Sequence, residues 1–154
     1  MSPRLIMDGK SRRKFAKKLR RAGQREIGGV LFGEQLAPNE FKIIDFSVDS
    51  VTGSAAHFCR SPEHHNTALE GFFAKTGNDY RRYNYLGEWH SHPRFPVHPS
   101  NQDQHSMIEL VHGERSIQFA VLLIVRLDWF CSLKASAFMF SRNHRPENIL
   151  LEKE

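Results

Sequence analysis

Two histidines, a serine and an aspartate stand close together in the chain at spacings that suit a metal centre. His90 and His92 are two positions apart, seven residues separate His92 from Ser100, and two separate Ser100 from Asp103. Two imidazoles and one carboxylate are the protein ligands of many catalytic zinc sites, in which the fourth position stays open for water. The spacing therefore predicts a hydrolytic metalloenzyme with one zinc ion per chain, bound by His90, His92 and Asp103.

A strand and the helix that follows it must bring these ligands together. Side chains alternate along a strand, so His90 and His92 point to the same face of a strand that ends near Pro93. A helix that begins near Ser100 places Asp103 in its first turn, within reach of the strand end. A helix cap with an acid in the first turn is the structural alternative for Ser100 and Asp103.

Hydrolysis at such a site also needs a general base that is not itself a ligand. Two acids compete for this role. Glu88 lies on the same strand face as His90, and Glu26 opens a strand that contains Gly28 and Gly29. The two glycines indicate a bulge or a close approach by another segment. Spacing alone leaves the choice between Glu26 and Glu88 open. His98 and His105 flank the predicted ligands and are candidates for substrate contact.

Taken together, these residues resemble the JAMM motif of the JAB1/MPN/Mov34 metalloprotease family. The match includes all five key positions and the surrounding runs Glu26-x-Gly28-Gly29 and Gly87-Glu88-Trp89-His90-Ser91-His92-Pro93. It covers roughly residues 26–140, and the multi-residue spacing makes it specific. The resemblance implies a zinc-dependent isopeptidase or peptidase in which Glu26, rather than Glu88, activates water. It also implies that His90, His92 and Asp103 bind zinc and that Ser100 donates a hydrogen bond to the oxyanion.

The resemblance implies a substrate class and partners as well. Family members cleave after the C-terminal glycine of ubiquitin-like or sulfur-carrier-like proteins, in deconjugation or precursor processing. This chain resembles the minimal, stand-alone versions common in prokaryotes. Some of those accompany ubiquitin-transfer-like enzymes, including those of antiphage defence systems. A non-catalytic MPN scaffold is one alternative, against which the intact ligand set argues.

Composition limits the remaining possibilities. The chain has 154 residues, 40% of them hydrophobic and 25% charged, which predicts one globular domain over residues 1–154. No apolar run approaches the ~20 residues of a membrane helix, and the first residues do not form a signal sequence. Cys59 and Cys131 do not make a disulfide framework. These features predict a cytoplasmic protein with both cysteines buried or inert.

Positive charge is concentrated at the N-terminus. The net charge is +5, and ten of the 22 Lys and Arg residues fall in the first 25 positions, where Asp8 is the single acid. The predicted basic N-terminal helix, residues 1–23, suits an acidic partner, a nucleic-acid phosphate backbone or simply a solvated face. A RadC-like, DNA-associated protein with the same metal site is therefore a second alternative. RadC-like sequences usually contain His-Asn-His-Pro, whereas this chain has His-Ser-His-Pro.

The order of predicted elements indicates the fold class. Helices are predicted at 11–22, 61–77 and 100–111, and strands at 26–33, 41–50, 84–91, 117–125 and 129–140. This order predicts an α/β domain with a mixed, mainly antiparallel sheet flanked by helices. The family resemblance implies the three-layer arrangement of MPN and cytidine-deaminase-like proteins.

Overall fold

The computed structural model of the protein describes residues 2–49, 62–112, 118–142 and 144–153. These ranges contain ten helices and strands, in the order β1 (Arg4–Ile6), α1 (Gly9–Ala22), β2 (Gly28–Ala37), β3 (Glu40–Phe46), α2 (Pro62–Lys75), β4 (Tyr83–Ser91), α3 (Asn101–His112), β5 (Phe119–Leu127), β6 (Leu133–Ser141) and β7 (Glu147–Glu152). The predicted α/β class with a mixed sheet is confirmed. Cys59, and Ser61 as the expected cap of α2, lie outside the described residues.

The sheet closes on itself, and this corrects the predicted arrangement. Its strand order is β1-β3-β2-β4-β5-β6-β7, and β1 pairs in parallel with both β3 and β7 to form a barrel. The expected three-layer arrangement, with a sheet flanked by helices, is therefore wrong. The strands that close the barrel escaped prediction because β1 has only three residues, too few for a periodic pattern, and β7 lies in a mostly polar tail. Arg4 forms ion pairs with Glu40 on β3 and Glu152 on β7, across both neighbours.

The basic helix α1 packs against the inner face of this barrel. Phe15 and Leu19 are buried, and the Phe15 ring meets the Trp89 ring at a centroid distance of 5.0 Å. Asp8, rather than Ser11, caps the helix, because the Asp8 carboxylate accepts a hydrogen bond from the Ser11 backbone N–H at 2.9 Å. The predicted end at Gly23 is confirmed. The helix therefore occupies only part of the predicted range 1–23, whose first residues contribute β1.

The other two helices pack on the outer face of the sheet. Phe72 of α2 stacks on Phe32 of β2 with ring centroids 4.6 Å apart. Met107 and Val111 of α3 pack against the outward-facing side chains of β5, which are Ala120, Leu122 and Ile124. The alternate residues of β5, Val121, Leu123 and Val125, belong to the inner core. The prediction that this strand is buried on both faces is confirmed.

Two glycines allow the strands that carry the site to approach each other closely. A Cβ atom at Gly29 would lie 2.2 Å from the backbone oxygen of Ser47, and one at Gly87 would lie 1.9 Å from the backbone oxygen of Val121. Both obstacles are backbone atoms of paired strands, so neither can move aside without breaking the sheet. The close approach expected from Gly28 and Gly29 is confirmed at Gly29, where β2 meets the segment after β3, and Gly87 brings β4 close to β5.

A tight turn between β5 and β6 differs from the predicted hairpin. β6 begins at Leu133, and Trp129 and Phe130 lie in the turn rather than in the strand. Cys131 in the same turn is exposed, so the buried alternative of the cysteine prediction does not apply to it. Among the helices within the described ranges, none has the length and apolar character needed to cross a membrane.

Candidate metal centre

The three predicted ligands meet where β4 ends and α3 begins. The Nε2 atoms of His90 and His92 lie 3.1 Å apart, and the Asp103 Oδ2 atom lies 3.2 Å from the first and 3.3 Å from the second. Both imidazoles are buried, and Asp103 is partly buried. The expected alternation is also present, since Trp89 and Ser91 belong to the opposite, inner side of the sheet. The structure therefore brings together a His-His-Asp set that could hold a metal ion.

The distances within this set fit a tetrahedral zinc ion. Ligand atoms about 2.0–2.1 Å from such an ion lie about 3.3–3.4 Å from one another. The three observed separations, 3.1, 3.2 and 3.3 Å, form a nearly equilateral triangle of that size. The donor atoms, two imidazole nitrogens and one carboxylate oxygen, are also those that zinc prefers. The site thus presents one triangular face of a tetrahedron with ligands of the right chemistry.

A backbone carbonyl orients one of the imidazoles. Because a carbonyl oxygen can only accept, the Nδ1 atom of His92 donates the hydrogen bond of 2.9 Å that joins it to the carbonyl oxygen of Pro96. The Nε2 atom of a neutral His92 is then unprotonated and faces the other ligands. Such a partner on the far side of a ligating imidazole is typical of metal sites. The sequence did not reveal this contact, because a backbone carbonyl carries no residue signature.

The hydrogen bonds around Asp103 keep its carboxylate deprotonated, which is the form that could bind a metal ion. Burial raises the pKa of Asp103, but hydrogen bonds with His90 and His92 outweigh it and hold the pKa far below its ordinary value. Burial lowers the pKa of His92, but the hydrogen bonds to Asp103 and to the Pro96 carbonyl outweigh this effect and raise that pKa above its ordinary value. Asp103 is therefore ionised at neutral pH, as a metal ligand must be.

Ser100 and Asp103 also cap α3, as the structural alternative for this pair predicted. The Ser100 hydroxyl oxygen accepts a hydrogen bond from the Asp103 backbone N–H at 3.0 Å, and Asp103 Oδ2 accepts one from the Ser100 backbone N–H at 2.8 Å. This reciprocal pair is a capping box with Asp in the place of Glu. The cap uses the Ser100 oxygen as an acceptor only, so its O–H remains available as a donor. The cap and a catalytic role are compatible.

A cleft of about 500 Å³ opens over the ligand set. It is lined by Glu26, His90, His92, Phe95, Pro96, His98, Ser100, Asn101, Gln102 and Asp103. Glu26 is buried, and its charge contributes to the raised pKa of His92. Glu88 is not among the described residues that line the cleft, so position favours Glu26 over Glu88. His98 lies in the lining as expected, whereas His105 pairs with Glu109 on the exposed side of α3.

The buried Ser91 holds the chain next to Glu26, which lines the same cleft as the candidate ligands. The Ser91 hydroxyl oxygen accepts a hydrogen bond from the Ile27 backbone N–H at 3.0 Å, and the Ser91 backbone N–H donates to the Ile27 carbonyl oxygen at 2.8 Å. Regular pairing of β2 with β4 ends at Gly28 and His90, one residue before this contact. The Ser91 side chain therefore extends the pairing by one residue and fixes the segment that contains Glu26.

Replacement of Ser91 by alanine should lower catalytic activity without removing the metal. The change leaves the buried Ile27 N–H without its partner and loosens Glu26, and a displacement of about 1 Å in a catalytic group can lower a rate about 10²-fold. We expect kcat to fall by up to about 10²-fold, with little change in KM or in zinc content. Steady-state kinetics and metal analysis measure these quantities.

Ser47 offers a matched control for this experiment. Its hydroxyl oxygen accepts the same kind of hydrogen bond, from the Val30 backbone N–H at 3.0 Å, but on the pairing of β2 with β3 and outside the cleft. Ser47→Ala should lower the melting temperature and leave kcat near the wild-type value. If the kcat of Ser91→Ala also stays near the wild-type value, Ser91 serves stability alone.

Comparison with known proteins gives three findings. The family described as prokaryotic homologs of the JAB domain matches residues 9–141. A protein of Vibrio cholerae serotype O1 named CD-NTase/cGAS isopeptidase is 29% identical over 112 residues, which are 71% of this chain and 67% of that protein. The solution structure of protein DSY2949 from Desulfitobacterium hafniense covers 97% of this chain and 94% of its own, with a TM-score of 0.68 and 22% identity. The last similarity concerns the fold alone.

Proposed function

Because the chain belongs to the family of prokaryotic homologs of the JAB domain, we propose that it is a zinc-dependent isopeptidase or peptidase. Its substrate is the amide bond after the C-terminal glycine of a ubiquitin-like protein, in a conjugate or a precursor. The observation that carries the proposal is the triangle of ligand atoms from His90, His92 and Asp103 beside the buried Glu26. The relative from Vibrio cholerae, which is named an isopeptidase, supports an isopeptide bond as the target. A role in a bacterial ubiquitin-like or antiphage system is part of this proposal.

In this reaction, one water molecule adds across the amide bond to give a carboxylate and an amine. Zinc held by His90, His92 and Asp103 would supply a Lewis acid and lower the pKa of water to about 7. The Glu26 carboxylate takes a proton from the attacking water and passes it to the leaving amine. The Ser100 hydroxyl donates a hydrogen bond to the substrate oxygen as negative charge develops there. Asp103 holds Ser100 in place through the capping box.

The dual role proposed for Ser100 has separable consequences. Loss of one oxyanion donor typically lowers kcat by about 10²–10³-fold, and loss of a helix cap costs about 1 kcal/mol of stability. We therefore expect Ser100→Ala to show both effects, in steady-state kinetics and in thermal unfolding. Ser100→Gly removes the hydroxyl but costs only a few tenths of a kcal/mol at a cap position. Its kcat should fall as far as that of Ser100→Ala, with a smaller loss of stability.

The proposed function is tested with ubiquitin-like proteins fused through their C-terminal glycine to a reporter. Mass spectrometry should show cleavage directly after the glycine. A chelator should abolish the cleavage, and added zinc should restore it. Cleavage that resists the chelator would contradict the metalloprotease assignment, and cleavage at other bonds would contradict the proposed specificity.

A further inference from the structure

The turn that joins β5 to β6 exposes two large aromatic side chains. Within this turn, residues 128–132, Trp129 is 97% exposed and Phe130 is 91% exposed. The other described large hydrophobic side chains on the surface, such as Tyr80 and Leu36, are about half exposed. Tryptophan and phenylalanine each offer 150–250 Å² of surface for burial. We refer to residues 128–132 as the aromatic turn.

The aromatic turn is held in a defined conformation although its tip lies in solvent. The Asp128 Oδ1 atom accepts hydrogen bonds from the backbone N–H groups of Phe130 and Ser132, both at 2.9 Å. The Asp128 backbone also bonds with Cys131 and Ser132, both at 3.0 Å. The polar groups of Asp128 therefore order the backbone, while the aromatic side chains make no contribution to the core. A surface ordered in advance loses little entropy when a partner binds.

The aromatic turn lies at the same end of the barrel as the metal ligands. The His92 backbone N–H donates to the Val125 carbonyl oxygen at 2.9 Å, and at most about 17 Å of chain leads from Val125 to Phe130. Arg126, which follows Val125, donates a hydrogen bond of 3.2 Å from Nη1 to the carbonyl oxygen of Phe95, which lines the cleft. Arg126 thus links the wall of the cleft to the base of the aromatic turn.

Positive charge lies beside the aromatic turn. A groove of about 240 Å³ between the end of α1 and the aromatic turn is lined by Arg20, Arg126 and Asp128, among others. The exposed Arg94 lies at the same end, where it bonds with Gln24 of this groove at 2.9 Å. The negative charge of Asp128 is engaged by two backbone N–H groups and faces Lys134 at 3.8 Å. The border of the aromatic turn is therefore cationic.

We propose that the aromatic turn and its arginine border form the docking surface for the folded body of the protein substrate. The matching surface of the substrate would carry apolar side chains bordered by acidic ones. This inference rests on the proposed function. A cleft of about 500 Å³ accommodates an extended tail but not a folded domain, so the body of a ubiquitin-like substrate must rest on the surface beside it. Tryptophan and arginine are the residues most enriched among those that dominate protein–protein affinity.

The test compares two substrates that share the same scissile bond. One is a folded ubiquitin-like protein fused through its terminal glycine to a reporter, and the other is only its last five or so residues with the same reporter. For Trp129→Ala/Phe130→Ala, we expect kcat/KM on the folded substrate to fall at least about 10-fold, mainly through KM. On the short peptide, kcat/KM should stay within about two-fold, because the cleft and the metal site are unchanged.

A matched control uses two exposed apolar residues from elsewhere on the surface. Leu36→Ala/Tyr80→Ala removes two partly exposed apolar side chains near the ends of β2 and β4 that lie away from the ligands. This variant should cleave both substrates as the wild type does. Zinc content and melting temperature, measured for both double variants, exclude a folding defect as the cause of any difference.

Failure of the docking proposal is distinguishable from failure of the proposed function. If the wild type cleaves but the aromatic double variant cleaves the folded substrate equally well, the docking proposal is wrong and the proposed function stands. If the wild type cleaves neither substrate, the proposed function fails, and fluorescence of the exposed Trp129 then decides the docking proposal. If the Trp129 fluorescence does not change on titration with the folded ubiquitin-like protein, the docking proposal is wrong. A change only with phosphatidylserine-containing vesicles would overturn it in favour of a membrane surface.

Discussion

Replacement of Glu26 by glutamine is expected to lower kcat by about 10²–10⁴-fold while the protein keeps about one zinc ion per chain. Glutamine has nearly the shape of glutamate but cannot take up the proton of the attacking water. The loss should appear in kcat more than in KM, because the proposed role of Glu26 is proton transfer during the reaction and not substrate binding. Steady-state kinetics with parallel metal analysis measures both quantities.

Glu88 provides the control for this experiment. It is a buried acid on the strand that carries His90, yet it is not among the described residues that line the cleft. Glu88→Gln should therefore leave kcat within a few-fold of the wild type, even if stability falls. Loss of zinc from Glu26→Gln would show that Glu26 is a ligand rather than the base. A large loss of kcat in Glu88→Gln alone would reverse the assignment of the base.

Replacement of Asp103 by alanine is expected to release the metal and to reduce cleavage to the uncatalysed background. The carboxylate is the anionic member of the ligand triangle, and without it two imidazoles remain to hold the ion. The same change also removes the acceptor for the Ser100 backbone N–H, so the start of α3 should lose stability. Metal analysis after dialysis, together with thermal unfolding, records the two effects separately.

Two further variants separate metal loss from unfolding. Asp103→Asn keeps an oxygen that can accept from the Ser100 backbone N–H, so it should lose zinc with a smaller loss of stability than Asp103→Ala. His105→Ala, on the exposed side of the same helix, should retain both zinc and activity. Full zinc occupancy in Asp103→Ala and Asp103→Asn would exclude Asp103 as a ligand.

The proximity of His90, His92 and Asp103 was predictable because their geometry is local. A period of two along β4 places His90 and His92 on one face, and the capping position of Ser100 places Asp103 one turn into α3. Glu26 was different, since 63 residues separate it from His90 and only the family resemblance favoured it over Glu88. The pairing of Gly28 with His90 now explains its position beside the ligands.

Contacts made by backbone atoms lay beyond prediction. Neither the Pro96 carbonyl that orients His92 nor the Ile27 backbone held by Ser91 has a signature in residue type. The prediction that Trp129 and Phe130 lie in a strand is wrong, since both lie in the turn before it. An alternating pattern of apolar residues predicts a buried strand but does not show where the preceding turn ends. Asp128, whose side chain orders that turn, was the available signal.

Because β1 closes the barrel by pairing with β7, the barrel cannot be completed until β7 has been synthesised. β1 pairs with Leu150, Leu151 and Glu152, so its second neighbour leaves the ribosome about 145 residues after β1 itself. The strand and the helix that position the proposed ligands, β4 and α3, are both complete by His112. Contacts of such long separation in sequence form slowly. The nascent chain therefore contains every proposed metal ligand well before the wall of the barrel is complete, and early metal capture would restrain the unclosed sheet.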